Sequence, residues 1–122
     1  MRRTGAAIRL ISDGDVAAVV HTAGWDENAV DIYLGVGGAA EGILAAAALR
    51  CAGGQMQGRL LINDADARER AGELGIEDPH RKYAIADMVR SEVAFVATGI
   101  TDGSLLSGVR FTINGANQHG GE

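Results

Sequence analysis

Two aspartates separated by one glycine, Asp13-Gly14-Asp15, close a short apolar run. Carboxylates that near repel each other unless they are solvated, paired or bound to a ligand, so packing alone does not account for the pair. As ligands they suit sugar hydroxyls or a divalent cation, which takes oxygen donors. Taken by itself, Asp15 also reads as an N-cap for the helix that follows. A further acid, Glu41, ends the run Gly37-Gly38-Ala39-Ala40-Glu41. Glycines between a strand and a helix let backbone amides approach an anion, and the helix N-terminus favours a phosphate there. Glu41 would repel that phosphate unless a cation lay between them; the competing reading is a carboxylate that caps its own helix. Spacing alone does not choose between the two.

A third stretch, Thr98-Gly99-Ile100-Thr101-Asp102-Gly103, is either a binding loop or a turn whose hydroxyls satisfy their own backbone, and the turn is favoured. His21, His80 and His119 lie far apart without metal-ligand spacing, and no serine sits in a nucleophile elbow. Trp25, Tyr33 and Tyr83 are isolated aromatics that read as core or rim packing. Gly35-Val36-Gly37-Gly38-Ala39-Ala40 fits the dinucleotide pattern G-x-G-x-x-A, a weak signal alone. A nucleotide fold also wants an acid about 20 positions on to hold the ribose; the region around Gln55 has none, and Asp64 comes late. A non-catalytic phosphate- or dinucleotide-binding module, or a truncated gene product, is thus the alternative to an enzyme.

The elements that must position these residues follow from local pattern. Ile8–Ile11, Val30–Val36, Gly58–Ile62, Val93–Ala97 and Gly108–Ile113 read as strands. Val16–His21, Glu41–Ala52 and Asp64–Leu74 read as helices, with Gly53 and Gly75 as left-handed stops and a brief helical turn around Asp87. Asn114–Glu122 shows no periodicity. Strands alternating with helices predict one α/β domain over residues 1–122, a mainly parallel or mixed sheet flanked by helices. Ligands gather beyond the carboxyl ends of such strands, where Asp13–Asp15, Gly37–Glu41 and Thr98–Asp102 would converge.

Composition narrows the classes. Sixteen acids against 11 Lys and Arg give a net charge of −5, and the basic residues are scattered, so neither nucleic acid nor an anionic membrane is an expected partner. No run reaches the roughly 18 apolar residues of a membrane span, and the first residues are too short an apolar stretch for a signal peptide. The lone cysteine, Cys51, falls in an alanine-rich run expected to be a buried helix face, and it fits a reducing, cytoplasmic setting.

In order along the chain, Asp13-Gly14-Asp15-Val16-Ala17 and Gly37-Gly38-Ala39-Ala40-Glu41-Gly42 resemble the class II fructose-1,6-bisphosphatases of bacteria, whose matching stretches read DGDVA and GGAPEG. The likeness runs on through Leu44–Arg50, Gly54–Leu60 and Ala97–Gly103 to about Phe111. The resemblance implies a partial sugar-phosphatase fold related to the lithium-sensitive phosphatases. It also implies a Mg2+- or Mn2+-dependent enzyme that removes the 1-phosphate of fructose 1,6-bisphosphate in gluconeogenesis. Some members also accept sedoheptulose 1,7-bisphosphate, and the full-length form is expected to be a homo-oligomer. Carried over residue by residue, Asp13, Gly14 and Asp15 contact the sugar phosphate, Gly38 lies against it, and Glu41 is a metal ligand. Most metal-binding carboxylates and the groups that position the attacking water belong to an earlier stretch of the family's chain. No catalytic residue is therefore expected within these 122 residues, and the chain alone is expected to be inactive. Ala40 stands where the family has proline, and Thr112–Glu122 drifts from the pattern.

Overall fold

Gly14 adopts φ 76° and ψ 34°, a left-handed conformation that glycine reaches without a Cβ penalty, and the chain turns there into α1 (Asp15–His21). The structure, a computed structural model, describes residues 2–24, 30–112 and 115–118. A short 3-10 turn (Arg2–Thr4) precedes α1, and α2 (Ala39–Ala52) follows, rich in alanine, the best helix former. Gly53, at φ 77°, stops α2 as the sequence predicts. Next come β1 (Gln57–Gly58), α3 (Ala65–Glu73), β2 (Tyr83–Ala84), α4 (Ile85–Met88), β3 (Val109–Thr112) and β4 (Gly115–Gln118). Asp64 caps α3, its Oδ1 accepting the Ala67 N–H at 2.6 Å.

The core lies between α1 and α2. Val19, Ala45 and Leu49 form its buried cluster, with Ala23, Tyr33, Met56 and Ile85 packed against it. Burying a side chain such as Leu49 contributes about 1.5–3 kcal/mol. Alanines at 45, 46 and 48 keep that face of α2 low. Cys51 corrects an expectation: it is exposed, and its Sγ–H donates to the Val93 carbonyl. At about 100° per residue, position 51 points away from the arc made by 45, 46, 48 and 49.

The α/β class holds, but the strand pairs differ from a mainly parallel sheet. Among the described residues both pairs are antiparallel: β1 with β2 in the register Gln57↔Ala84 and Gly58↔Tyr83, and β3 with β4 from Val109↔Gln118 to Thr112↔Gly115. Ile8–Ile11, Val30–Val36 and Val93–Ala97 join no ladder. Strand character is a property of a backbone pair, and the sequence reports only one partner's propensity. Ile32, Leu34 and Val36 accordingly stand 61%, 66% and 77% exposed. The last stretch, expected to be irregular, instead provides β4; the dipeptide Asn114-Gly115 carries a hairpin signal for it.

Candidate functional site

Asp15 opens α1, where the helix dipole favours an acid. It does not cap the helix; Gly14 is the N-cap and makes no side-chain cap bond. The Asp15 carboxylate is used elsewhere: the Tyr33 hydroxyl donates to its Oδ1 at 2.8 Å. Tyr33 is half-buried against the α1–α2 cluster, so the reading of a packing aromatic holds. What sequence reasoning missed is the polar end of that ring, because no local spacing signals a contact across 18 residues.

Glu41 occupies the first turn of α2, and its Oε2 accepts the Gly38 N–H at 3.1 Å. The capping reading is therefore realised. Capping and ligand binding are compatible, since an ionised carboxylate offers about four lone-pair sites on two oxygens. Ala40 sits in the same first turn without displacing Glu41.

Gly37 brings the two acids together. A Cβ placed on it would lie 3.0 Å from Asp15 Oδ2 and 3.4 Å from Glu41 Oε2, so carboxylates from two helices flank a gap that a methyl group would make tight. The Tyr33 phenol senses both: the hydrogen bond to Asp15 first, then burial, then the charges of Asp15 and Glu41 raise its pKa above the ordinary tyrosine value. Magnesium-like ions are held by one or two carboxylates and complete their shell with water and phosphate, so the Glu41 carboxylate fits part of such a shell. Among the described residues no group of three or more His, Cys, Asp or Glu gathers to hold a metal.

The other candidates divide. Gly38 flanks the gap, and its would-be Cβ lies 3.4 Å from Glu41 Oε2. Asp13 is exposed in the bend just before α1. The Thr98–Gly103 loop closes on itself: Gly108 N–H donates to Asp102 Oδ1 at 2.8 Å and Gly103 N–H to the Leu106 carbonyl at 3.0 Å. The favoured turn is thus observed, with a carboxylate in the part assigned to hydroxyls. A surface hollow of about 150 Å³ between Leu61, Asn63, Arg68 and His80 is built from different residues and brings no carboxylate. Trp25 and His119 lie outside the described residues. The dinucleotide reading meets an obstacle at Gly38, whose amide, needed for a pyrophosphate, is engaged by Glu41.

Residues 1–120 match the family model described as bacterial fructose-1,6-bisphosphatase, glpX-encoded. The chain belongs to this family. Among its curated relatives, a protein of Synechococcus sp. (strain JA-3-3Ab) named D-fructose 1,6-bisphosphatase class 2/sedoheptulose 1,7-bisphosphatase is 40% identical over 129 residues. Proteins of the same name from Crocosphaera subtropica and Trichodesmium erythraeum are each 41% identical. In all three cases 95% of this chain is covered, but it spans only 37% of the relative's length. For this fructose-1,6-bisphosphatase family member, two of the stretches that carried the resemblance, Asp13–Ala17 and Gly37–Gly42, meet at Gly37 through Asp15 and Glu41. No helix among the described residues is long and apolar enough to cross a membrane.

Proposed function

We propose that this chain supplies part of the active site of a fructose-1,6-bisphosphate 1-phosphatase that works with Mg2+ or Mn2+ and also accepts sedoheptulose 1,7-bisphosphate. One observation carries the reading: Asp15 Oδ2 and Glu41 Oε2, from the first turns of two helices, flank the gap at Gly37. A divalent cation bound at Glu41 would neutralise phosphate charge and lower the pKa of a water. Glu41 is its ligand in this chain, through lone pairs not used by the Gly38 amide. Asp13, Gly14 and Asp15 hold the sugar hydroxyls, and Gly38 lets the phosphate lie against backbone. The remaining metal-binding carboxylates and the groups that orient the attacking water are assigned to sequence that the relatives have beyond the matched 37%. Residues 1–122 then act as one domain of a cytoplasmic, homo-oligomeric enzyme of gluconeogenesis.

Calorimetry tests this. A full-length family enzyme carrying these 122 residues is expected to bind Mn2+ with an affinity that Glu41→Gln lowers at least about tenfold, the usual cost of losing a metal-site group. Tight binding of NAD without any metal would reject the reading in favour of a nucleotide module.

A further inference from the structure

Gly35, the first glycine of the G-x-G-x-x-A run, does nothing in the site as described so far, yet it has a clear spatial role. A Cβ on Gly35 would overlap the Tyr33 hydroxyl, so a glycine at that position leaves the phenol room to reach Asp15. The ring itself is anchored on the Val19, Ala45 and Leu49 cluster, which makes the hydroxyl a donor fixed by the core. Through that hydroxyl, Tyr33 is a hydrogen-bond partner of the Asp15 side chain. Without it, a first-turn aspartate that makes no cap bond is free to change rotamer.

We infer that Tyr33 is a positioning residue for substrate: its hydroxyl fixes Asp15 Oδ1 and so turns Oδ2 toward the Gly37 gap, where it meets a hydroxyl of the sugar phosphate. Gly35 is the space that makes this possible. The inference rests on the substrate role proposed for Asp15 and deepens it. Tyr33 touches the carboxylate and acts through it, as groups behind ligating carboxylates do elsewhere.

The test is calorimetry on a full-length family enzyme carrying these 122 residues, with Mn2+ alone and then with fructose 1,6-bisphosphate added to the Mn2+-loaded protein. Tyr33→Phe keeps the ring and removes only the donor. It is expected to weaken fructose 1,6-bisphosphate about tenfold, with Mn2+ affinity and the melting midpoint near those of the parent. Gly35→Ala, which crowds the hydroxyl with Tyr33 intact, is expected to reproduce the sugar-phosphate loss. Parent-like sugar-phosphate affinity in Tyr33→Phe would overturn the inference. So would equal losses of Mn2+ and sugar phosphate with a lowered midpoint, the signature of a structural role. A parent enzyme that binds no Mn2+, or a Glu41→Gln variant of it that binds the ion undiminished, would instead overturn the underlying functional reading.

Discussion

As strings, Gly35–Glu41 and Thr98–Gly103 look alike, each setting glycines near an acid after an apolar run. Folded, they use their acids differently. Asp102 closes its own loop by accepting the Gly108 N–H at 2.8 Å, and Val109 N–H to the Ile100 carbonyl at 3.0 Å completes the turn. At Gly37 one acid comes from α1 and the other from α2, and each turns an oxygen toward the same gap. Glu41 also bonds a backbone amide, so a backbone bond does not by itself separate structure from function. The distinguishing feature is convergence of separate elements on a space that a single methyl group would fill.

Turnover should break or sustain this contrast most visibly. In a full-length family enzyme carrying these 122 residues, Glu41→Ala is expected to lower kcat by about a thousandfold or more, as loss of the proposed metal ligand would remove charge stabilisation at the phosphoryl group. Asp102→Ala should leave kcat nearly unchanged and cost about 1 kcal/mol of stability, the net value of one hydrogen bond. Similar kcat losses in the two variants would erase the distinction between the regions.

Glycine replacements sharpen it. Gly99→Ala would drive a methyl into the Ser107 carbonyl oxygen, which is backbone and cannot step aside, so a stability loss of about 1–3 kcal/mol is expected in a melt. Gly37→Ala meets only carboxylate oxygens, at 3.0 and 3.4 Å, which can yield by a few tenths of an ångström. Its melting midpoint should stay close to the parent's while Mn2+ affinity falls; the opposite pattern in the two variants would reverse the assignment.

The pH dependence gives smaller effects. Tyr33 has a raised pKa in the folded chain, so its hydrogen bond to Asp15 contributes stability below the ordinary tyrosine pKa and loses it as pH rises through the folded value. Spectrophotometric titration should show the Tyr33 transition shifted down in Asp15→Ala; an unmoved transition would contradict the contact. Asp87 runs the other way. The Ala84 N–H, which donates to it at 2.9 Å, and the Arg81 guanidinium hold its pKa below the usual carboxylate value. Its contribution is present above the ordinary pKa and lost as pH falls through the depressed one. The difference in melting midpoint between parent and Asp87→Asn should shrink on acidification, and a constant difference would argue against a role for its charge.

Helices were legible because their signals are local. The left-handed stop at Gly53, the cap at Asp64 and the short turn at Asp87 each rest on neighbours within a few residues. The candidate acids stood out by type and motif, and the structure places Asp15 and Glu41 beside Gly37 while Asp13 stays in the exposed bend before α1. Three other features were not legible. The ladders expected at Val30–Val36 and Val93–Ala97 depend on a second strand that no propensity encodes, the exposure of Cys51 depends on the phase of the buried arc, and the Tyr33–Asp15 bond spans separate elements.

Ile32, Leu34 and Val36 alternate along one segment and stand exposed in a chain that spans 37% of its relatives' length. Tyr33 lies within the same ribbon, between Ile32 and Leu34. The apolar strip and the donor that bonds Asp15 are thus carried by adjacent residues, so a change of backbone direction at Tyr33 would move both.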